Sequence, residues 1–538
     1  MKKDILSIWA LGAALLFTSC EDLNLTPDDS IVSSDYYKSE ADATAAVTGI
    51  YNVLTYEKST TSYYGDMLLY LTDLSTDYMR AAANSQSPDT KSLSAVTFNA
   101  EQFHVKTFWE QSYRGIGRAN LAIDNIPNAS GSEVLKKRLV NESKFLRALF
   151  YFNAVQLWGE IPLIIHGEYD KAELNRAPIK DVYAQIIKDL TDAQELPLAS
   201  EYPASEAGRA TKGAATALLA KVYLVKAALT NSNEDYGKAA EYAQQVIGSN
   251  EYGLVENFYD LWDTAKKNGR EHIFSAQFSK GQASASSAGN SISHCTFSTG
   301  LTNNEPVVLT TDVSKFYDVF EDADQRKSGS YAKRLFDPAP PADWKERADY
   351  ENINGDAYFV FTVPRFRKYI DTTIIATSSS LAAINVPVLR YADVLFTLAE
   401  AVNERSGATP TAYDALNKIR RRAYRYDVNS VSPADLQPGL TQEAFRDVLR
   451  KERYKEFVSE QSRWFDLVRW KILVKTIKAV PGKNVDFKNY RFPIPQRERD
   501  LNPTGLWQNW GYEDSNVTKI HIMDLNKRAG SMCCTVIM

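Results

Sequence analysis

The chain has 538 residues and a net charge of −5, with 44% hydrophobic and 24% charged residues, a composition ordinary for a globular body in water. Nucleic-acid binding is excluded because it needs a concentrated basic face; the densest basic run, 418–425, carries Arg420, Arg421 and Arg422 in succession, and consecutive arginines splay around a helix. The four cysteines, Cys20, Cys295, Cys533 and Cys534, are spaced for neither a disulfide framework nor a zinc site.

In chain order, Lys2 and Lys3 precede thirteen mostly apolar residues, 5–17. That is too short for a membrane span, which takes about 20 residues, and it predicts a signal peptide over 1–19. Leu16, Phe17, Thr18 and Ser19 before Cys20 resemble a bacterial lipobox. The resemblance implies cleavage before Cys20 and diacylation of its thiol, each acyl chain contributing about 0.8 kcal/mol per buried CH₂. Acidic, polar residues 21–30 read as a stalk.

Helices are predicted over 43–56, 105–126, 133–158 and 180–196, with Pro127 and Pro197 as stops. Ala214, Leu218, Val222, Val225 and Leu229 form a regular stripe, and 236–247 reads as its return helix. The arrangement recurs with Tyr391, Leu395, Leu398 and Val402, a break at Ser406 and Gly407, and a return over 411–423. Helices over 442–459 and 462–478 complete four hairpins, at about 133–196, 210–248, 388–424 and 442–478. Each hairpin leaves an apolar face that only a neighbour can cover. The expected fold is therefore mainly α: an α-α superhelix of about four TPR-like helical hairpins.

The 137 residues of 251–387 interrupt this scaffold as a large loop-rich insert. They contain a polar run, 281–300, a proline cluster, 338–341, and a strand-like run, 358–363. An insert of this length reads as ligand-facing. The 30 Tyr, 23 Phe and 9 Trp are mostly needed for helix packing, with a remainder suited to partly apolar, hydroxyl-rich ligands.

Catalytic patterns are missing from the sequence. His104, His166, His272, His294 and His521 form no metal spacing, and there is neither a nucleophile elbow nor a Walker loop. Gly115 to Asn120 begins like a dinucleotide fingerprint but lies inside a helical pattern with no preceding strand. Arg463, Asp466 and Arg469, spaced i, i+3, i+6, are expected to share one carboxylate beside buried Trp464 and Trp470, as a structural lock. The ending is not a prenylation signal, because Thr535, not a cysteine, stands fourth from the end.

Several segments, in order, resemble the SusD/RagB-like family of outer-membrane nutrient-binding lipoproteins. They are Trp109 to Tyr113 with Arg118 to Asn120, Glu142 to Phe152 with Trp158 to Pro162, and Gly208 to Gly213. Leu389 to Asp393 with Leu398 to Ala401, Leu416 to Arg420, and Glu452 and Arg453 through Arg463 to Trp470 follow. Phe492 to Pro495, Asn502 with Pro503, and Gln508 to Tyr512 close the match, which spans about 16–512 and leaves 513–538 an unassigned tail.

The resemblance implies one nutrient-binding domain over 20–512 on a scaffold of four tetratricopeptide-like units. It implies a lipid-anchored, surface-facing protein of the outer membrane. The implied partner is a SusC-like TonB-dependent transporter, over which the protein closes like a lid. The implied cargo is an oligosaccharide, or in some branches a peptide. The implied role is binding without catalysis, with no cofactor and no metal, and contact with the membrane through the lipid alone. A glycoside hydrolase, which needs two carboxylates about 5–5.5 Å or about 6.5–9.5 Å apart in a cleft, and a purely structural surface protein remain as alternatives.

No ligand motif transfers from the family, so ligand contacts are chosen by position and chemistry. Asp73, Asp77, Tyr78 and Arg80 stand where a helix runs out into the loop 81–91. Phe297, Trp344 and Tyr358 come from the insert. Carboxylates and arginine suit sugar hydroxyls, and the aromatic rings offer stacking faces.

Overall fold

A computed structural model describes residues 36–55, 61–82, 85–279, 290–292, 307–309, 316–337, 340–370 and 382–512. The leader, Cys20, the stalk, most of 281–300 with Phe297, and the tail from 513 lie outside the described residues.

The main helices form where the sequence caps them. Strong N-cap residues place an oxygen on an otherwise orphaned backbone N–H. Ser132 does this for α4 (Glu133–Trp158), Thr211 for α6 (Lys212–Thr230) and Ser232 for α7 (Asn233–Gly248). Pro410 opens α10 (Pro410–Ala423), where its missing N–H is harmless. The remaining scaffold helices are α1 (Glu40–Thr55), α3 (Phe103–Asn125), α5 (Ile179–Ala193), α9 (Tyr391–Ser406) and α11 (Gln442–Phe457). A short α2 (Pro88–Ala95) lies between α1 and α3.

Packing follows chain order. α3 packs on α4, α4 on α5, α5 on α6 and α6 on α7. α7 then packs on α9, across the whole insert in sequence, and α9 on α10 and α11. One apolar core runs through the stack, from Ala43 to Leu506. This is the expected mainly-α superhelix, with the insert branching from a continuous solenoid. α6 is long and apolar enough to cross a membrane, a resemblance the stripe pattern did not suggest, but most of it is buried in the core.

The last hairpin differs from the single return helix expected over 462–478. The chain forms α12 (Arg463–Arg469) and α13 (Leu473–Lys478), broken where Lys471 takes a left-handed φ of 57°. At the end of α12, Arg469 and Trp470 both reach the Glu400 carboxylate, at 2.9 Å each.

α3 and α4 approach closely at Gly115. A Cβ there would lie 2.3 Å from the Phe150 ring on α4. Gly115→Ala is therefore expected to destabilise the protein by about 1–3 kcal/mol, the usual cost of overpacking, read as a lower chemical-denaturation midpoint. A wild-type midpoint would mean that the Phe150 ring moves aside freely.

The insert is rooted by β4 (His272–Ala276), fully buried and antiparallel to β9 (Val386–Arg390). Beyond that root stands a three-stranded antiparallel sheet, ordered β6 (Tyr331–Phe336), β8 (Asp356–Phe366), β7 (Tyr350–Ile353). The strand expected over 358–363 is the middle of β8. A short α8 (Gln325–Ser330) leads into β6. β1 (Met79–Ala81) pairs with β5 (Val307–Leu309) of the insert, and β5 also lies against β8. Two-residue strands β2 (Ile161–Pro162) and β3 (Arg176–Ala177) pair beside α4, and α14 (Gln496–Leu501) follows near the end.

Candidate ligand-binding face

The segment before β1 was expected to meet ligand and instead anchors the fold. Residues 63–67 and 70–74 form two buried π-helical turns. Asp73 is fully buried and accepts hydrogen bonds from the backbone N–H of Gln461 (2.9 Å) and Arg463 (3.4 Å). Burial pushes its carboxyl up to about 7, against the pull of those donors and the Tyr78 hydroxyl. Tyr78, also fully buried, accepts from the Ser459 N–H at 2.9 Å. Asp77 takes a two-pronged bond from Arg463, at 3.0 and 2.7 Å.

Asp73 and Tyr78 offer no surface to a ligand and Asp77, held by Arg463, almost none, and the expectation is corrected for each. A polar residue near a loop looks exposed in sequence, but its partners stand some 385 positions away. The lock at 463–469 is corrected in the same way. Arg463 leaves Asp466 for Asp77, while Asp466 receives Arg453 (2.7 Å) and Arg469 (3.1 Å). Trp464 is fully buried, and Trp470 lies partly buried against the core.

Arg80 differs from its neighbours. It is half-buried on β1, opposite Val308 of β5, so it stands at the flank of the insert sheet. The anchored 73–78 segment fixes that position from beneath.

The sheet has two unlike faces because side chains alternate along a strand. On the inner face, Leu335, Phe361 and Ile370 form a small core, with Phe359 packed against it. Tyr350 lies edge-on to Phe359 at 5.4 Å, and Trp344 packs on Tyr350 at 6.4 Å, with Lys345 over its ring. On the outer face, Tyr358 stands directly across from Phe336, with ring centroids 5.7 Å apart. Phe336 is 40% exposed. Arg334 and Glu351, on the two flanking strands, meet at 2.8 Å over the same face.

Trp344 and Tyr358 therefore sit on opposite faces and do not converge. The outer face offers an aromatic pair, Phe336 exposed and Tyr358 half-buried, flanked by a cation and a carboxylate that together donate and accept hydrogen bonds. Phe336, Arg334 and Glu351 were missed in sequence. The alternation around Tyr358 was legible, but its cross-strand partner depends on register, and β6 carries a bulge between Ala332 and Arg334.

Unlike Asp73, the buried glutamates of α11 and Glu460 just after it are engaged by cations. Glu456 meets Arg390 and Arg422, Glu452 meets Arg326 and Arg420, and Glu460 meets Lys368 and Arg390. Arg420, Arg421 and Arg422 turn to three different carboxylate sets, Glu452, Asp435, and Glu271 with Glu456. Among the described residues, no group of His, Cys, Asp or Glu is placed to hold a metal ion.

The chain is similar to known proteins in both sequence and structure. Residues 310–512 match the SusD family model, and residues 23–224 match a model described as starch-binding associating with outer membrane. The chain is 28% identical to SusD-like protein P2 of Formosa agariphila over 518 residues, covering 93% of this chain and 98% of that one. It is similar to the crystal structure of a SusD homolog from Bacteroides thetaiotaomicron, with a TM-score of 0.73, 26% identity, and 89% and 98% of the two chains covered. A laminarin-binding SusD-like protein aligns with a TM-score of 0.69 at 25% identity, covering 88% of this chain and all of that one.

Proposed function

The chain belongs to the SusD/RagB-like family, and from that premise we propose that it captures oligosaccharides at the cell surface and delivers them to a SusC-like TonB-dependent transporter. The observation that carries the reading is the outer face of the insert sheet. Its Phe336–Tyr358 pair, Phe336 exposed and Tyr358 half-buried, with Arg334 and Glu351 beside it, matches the chemistry of a sugar ring. A sugar has an apolar face that stacks on an aromatic ring and a rim of hydroxyls that take charged hydrogen-bond partners. Arg80 stands apart from this pair, on β1 opposite Val308. Trp344 belongs to the opposite face and is the weaker contact.

The wider reading takes further support from the relatives. A laminarin-binding protein shares the fold at 25% identity, which favours glycan over peptide as cargo. The role is binding without chemistry, and no cofactor or metal is required. The domain extends over 20–512, anchored through an acylated Cys20 to the outer membrane with its body facing outward. Tethering beside a transporter raises the effective concentration of cargo, so modest affinity suffices.

Calorimetric titration of the protein, starting after Cys20, against laminarin oligosaccharides, starch oligosaccharides and a peptide digest tests the reading. Saturable binding of one glycan class, recovered uncut, is the expected result. Cleaved glycan would replace capture by hydrolysis, and binding of peptides alone would replace the cargo.

A further inference from the structure

A second concavity lies away from the insert, between α3, the loop 162–174 and the segment 498–506, with a volume of about 400 Å³. That is within the range of small-molecule sites, roughly 300–1,000 Å³. Its walls are apolar and aromatic, with Trp109, Leu121, Tyr169, Leu174 and Leu501 among them. Several motif segments of the family resemblance meet here, through Trp109, Tyr113, Asn120, Pro162 and Asn502, and nothing in the capture reading uses them.

Most polar groups in the cleft are already engaged. The Tyr113 hydroxyl donates to the Pro162 carbonyl at 2.9 Å. The Asn120 amide donates to the carbonyls of Ile164 (3.0 Å) and His166 (3.2 Å), and its oxygen accepts from Arg147 at 2.9 Å. Asn502 donates to the Leu174 carbonyl at 3.1 Å. His166 stands 3.1 Å from Asp124 at the rim.

Two carboxylates remain, Glu110 and Glu498, and no lysine or arginine lines the cleft. Glu110 has a partner outside, the mostly exposed Arg497 at 3.1 Å. Glu498 is half-buried, and among the described residues the nearby Arg497 makes its ion pair with Glu110. Burial first, and then the charge of Glu110, raises its pKa against the pull of Arg497 and Lys106. A half-buried carboxylate beside a second carboxylate, with no ion pair of its own among the described residues, gains from a cation brought by a ligand.

We propose that this cleft is a separate binding site for a small amine, a primary ammonium carried on an apolar or aromatic body. The ammonium pairs with Glu498 and Glu110 through charge-assisted hydrogen bonds, and the body fills the space between Trp109, Leu121, Tyr169 and Leu501. The site does not depend on the capture reading, since it shares no residue with the insert sheet.

The test is calorimetric titration with 2-phenylethylamine and with its neutral counterpart 2-phenylethanol. The amine is expected to bind saturably, and the alcohol at least about tenfold more weakly. Glu498→Gln and, separately, Glu110→Gln are each expected to weaken the amine by roughly tenfold, with the melting temperature and glycan binding kept. Equal binding of amine and alcohol, indifference to both variants, no saturable binding of the amine, or binding only of a lysine-containing peptide would each overturn the proposal.

Discussion

Arg390→Met is expected to cost about 3–5 kcal/mol of folding stability, the range for removing one partner from a buried ion pair. Arg390 ends β9 and is 1% exposed. Its guanidinium reaches Glu271 at 2.8 Å, Glu456 at 2.7 Å and Glu460 at 2.8 Å, and donates to the Glu456 carbonyl at 2.9 Å. One side chain thus ties the root of the insert (β4 and β9) to the end of α11. Methionine of similar length would fill the space but leave three buried carboxylates each short of a cation.

The pH dependence gives the sign. Burial alone would raise the Glu456 pKa, but Arg422, Arg390 and Arg326 outweigh it and hold the carboxyl well below its ordinary 4.5. A carboxylate depressed on folding contributes stability that is present above its unfolded pKa and lost as pH falls through the folded one. Wild-type stability therefore declines below about pH 4.5, and the deficit of Arg390→Met is largest at neutral pH and shrinks in acid. Urea titrations at pH 7 and pH 4 measure both. A deficit below about 1 kcal/mol at pH 7 would show that the neighbouring Arg422 and Lys368 suffice. Arg390→Lys, which keeps the charge but loses the fork, is expected to fall between the two.

Which parts of this were readable in sequence follows from the range of the forces involved. Helix α4 was bounded correctly at Glu133 and Trp158, because an N-cap, an apolar stripe and a following glycine all act within a few residues. The stripe from Ala214 to Leu229 carried α6 for the same reason. The packing of α7 on α9 across the insert followed from two hairpins that each needed a neighbour.

The site was less legible because its determinants are distant. Tyr78 is buried by Ser459, Phe366 and Tyr454, none of which is near it in the chain. Asp77 and Arg463 are one ion pair, and each was read with a different partner or role. Local pattern finds an aspartate beside a loop; only the tertiary fold says which way it faces. The strand around Tyr358 was visible as alternation, yet its neighbour Phe336 came from a strand whose register a bulge sets.

That register decides the second large effect. Replacing Tyr358 and Phe336 together by alanine is expected to weaken glycan binding by about 10- to 100-fold, roughly 1.4–2.7 kcal/mol, in the range of aromatic hot spots. The fold should survive, because the pair lies on the outer face while the small core of Leu335, Phe361 and Ile370 is on the other. Each ring also shields the other, so either single variant is expected to lose less than half of the total. Trp344→Ala is the discriminating control. It removes a ring from the inner face, where Tyr350 and Phe359 continue the array, and is expected to change affinity by less than about threefold. If Trp344→Ala proved the more damaging change and the double variant bound normally, the ligand would lie against the inner side of the sheet. Arg80 on β1 would then be the residue to test next, because β5 carries it to the flank of β8 on either account.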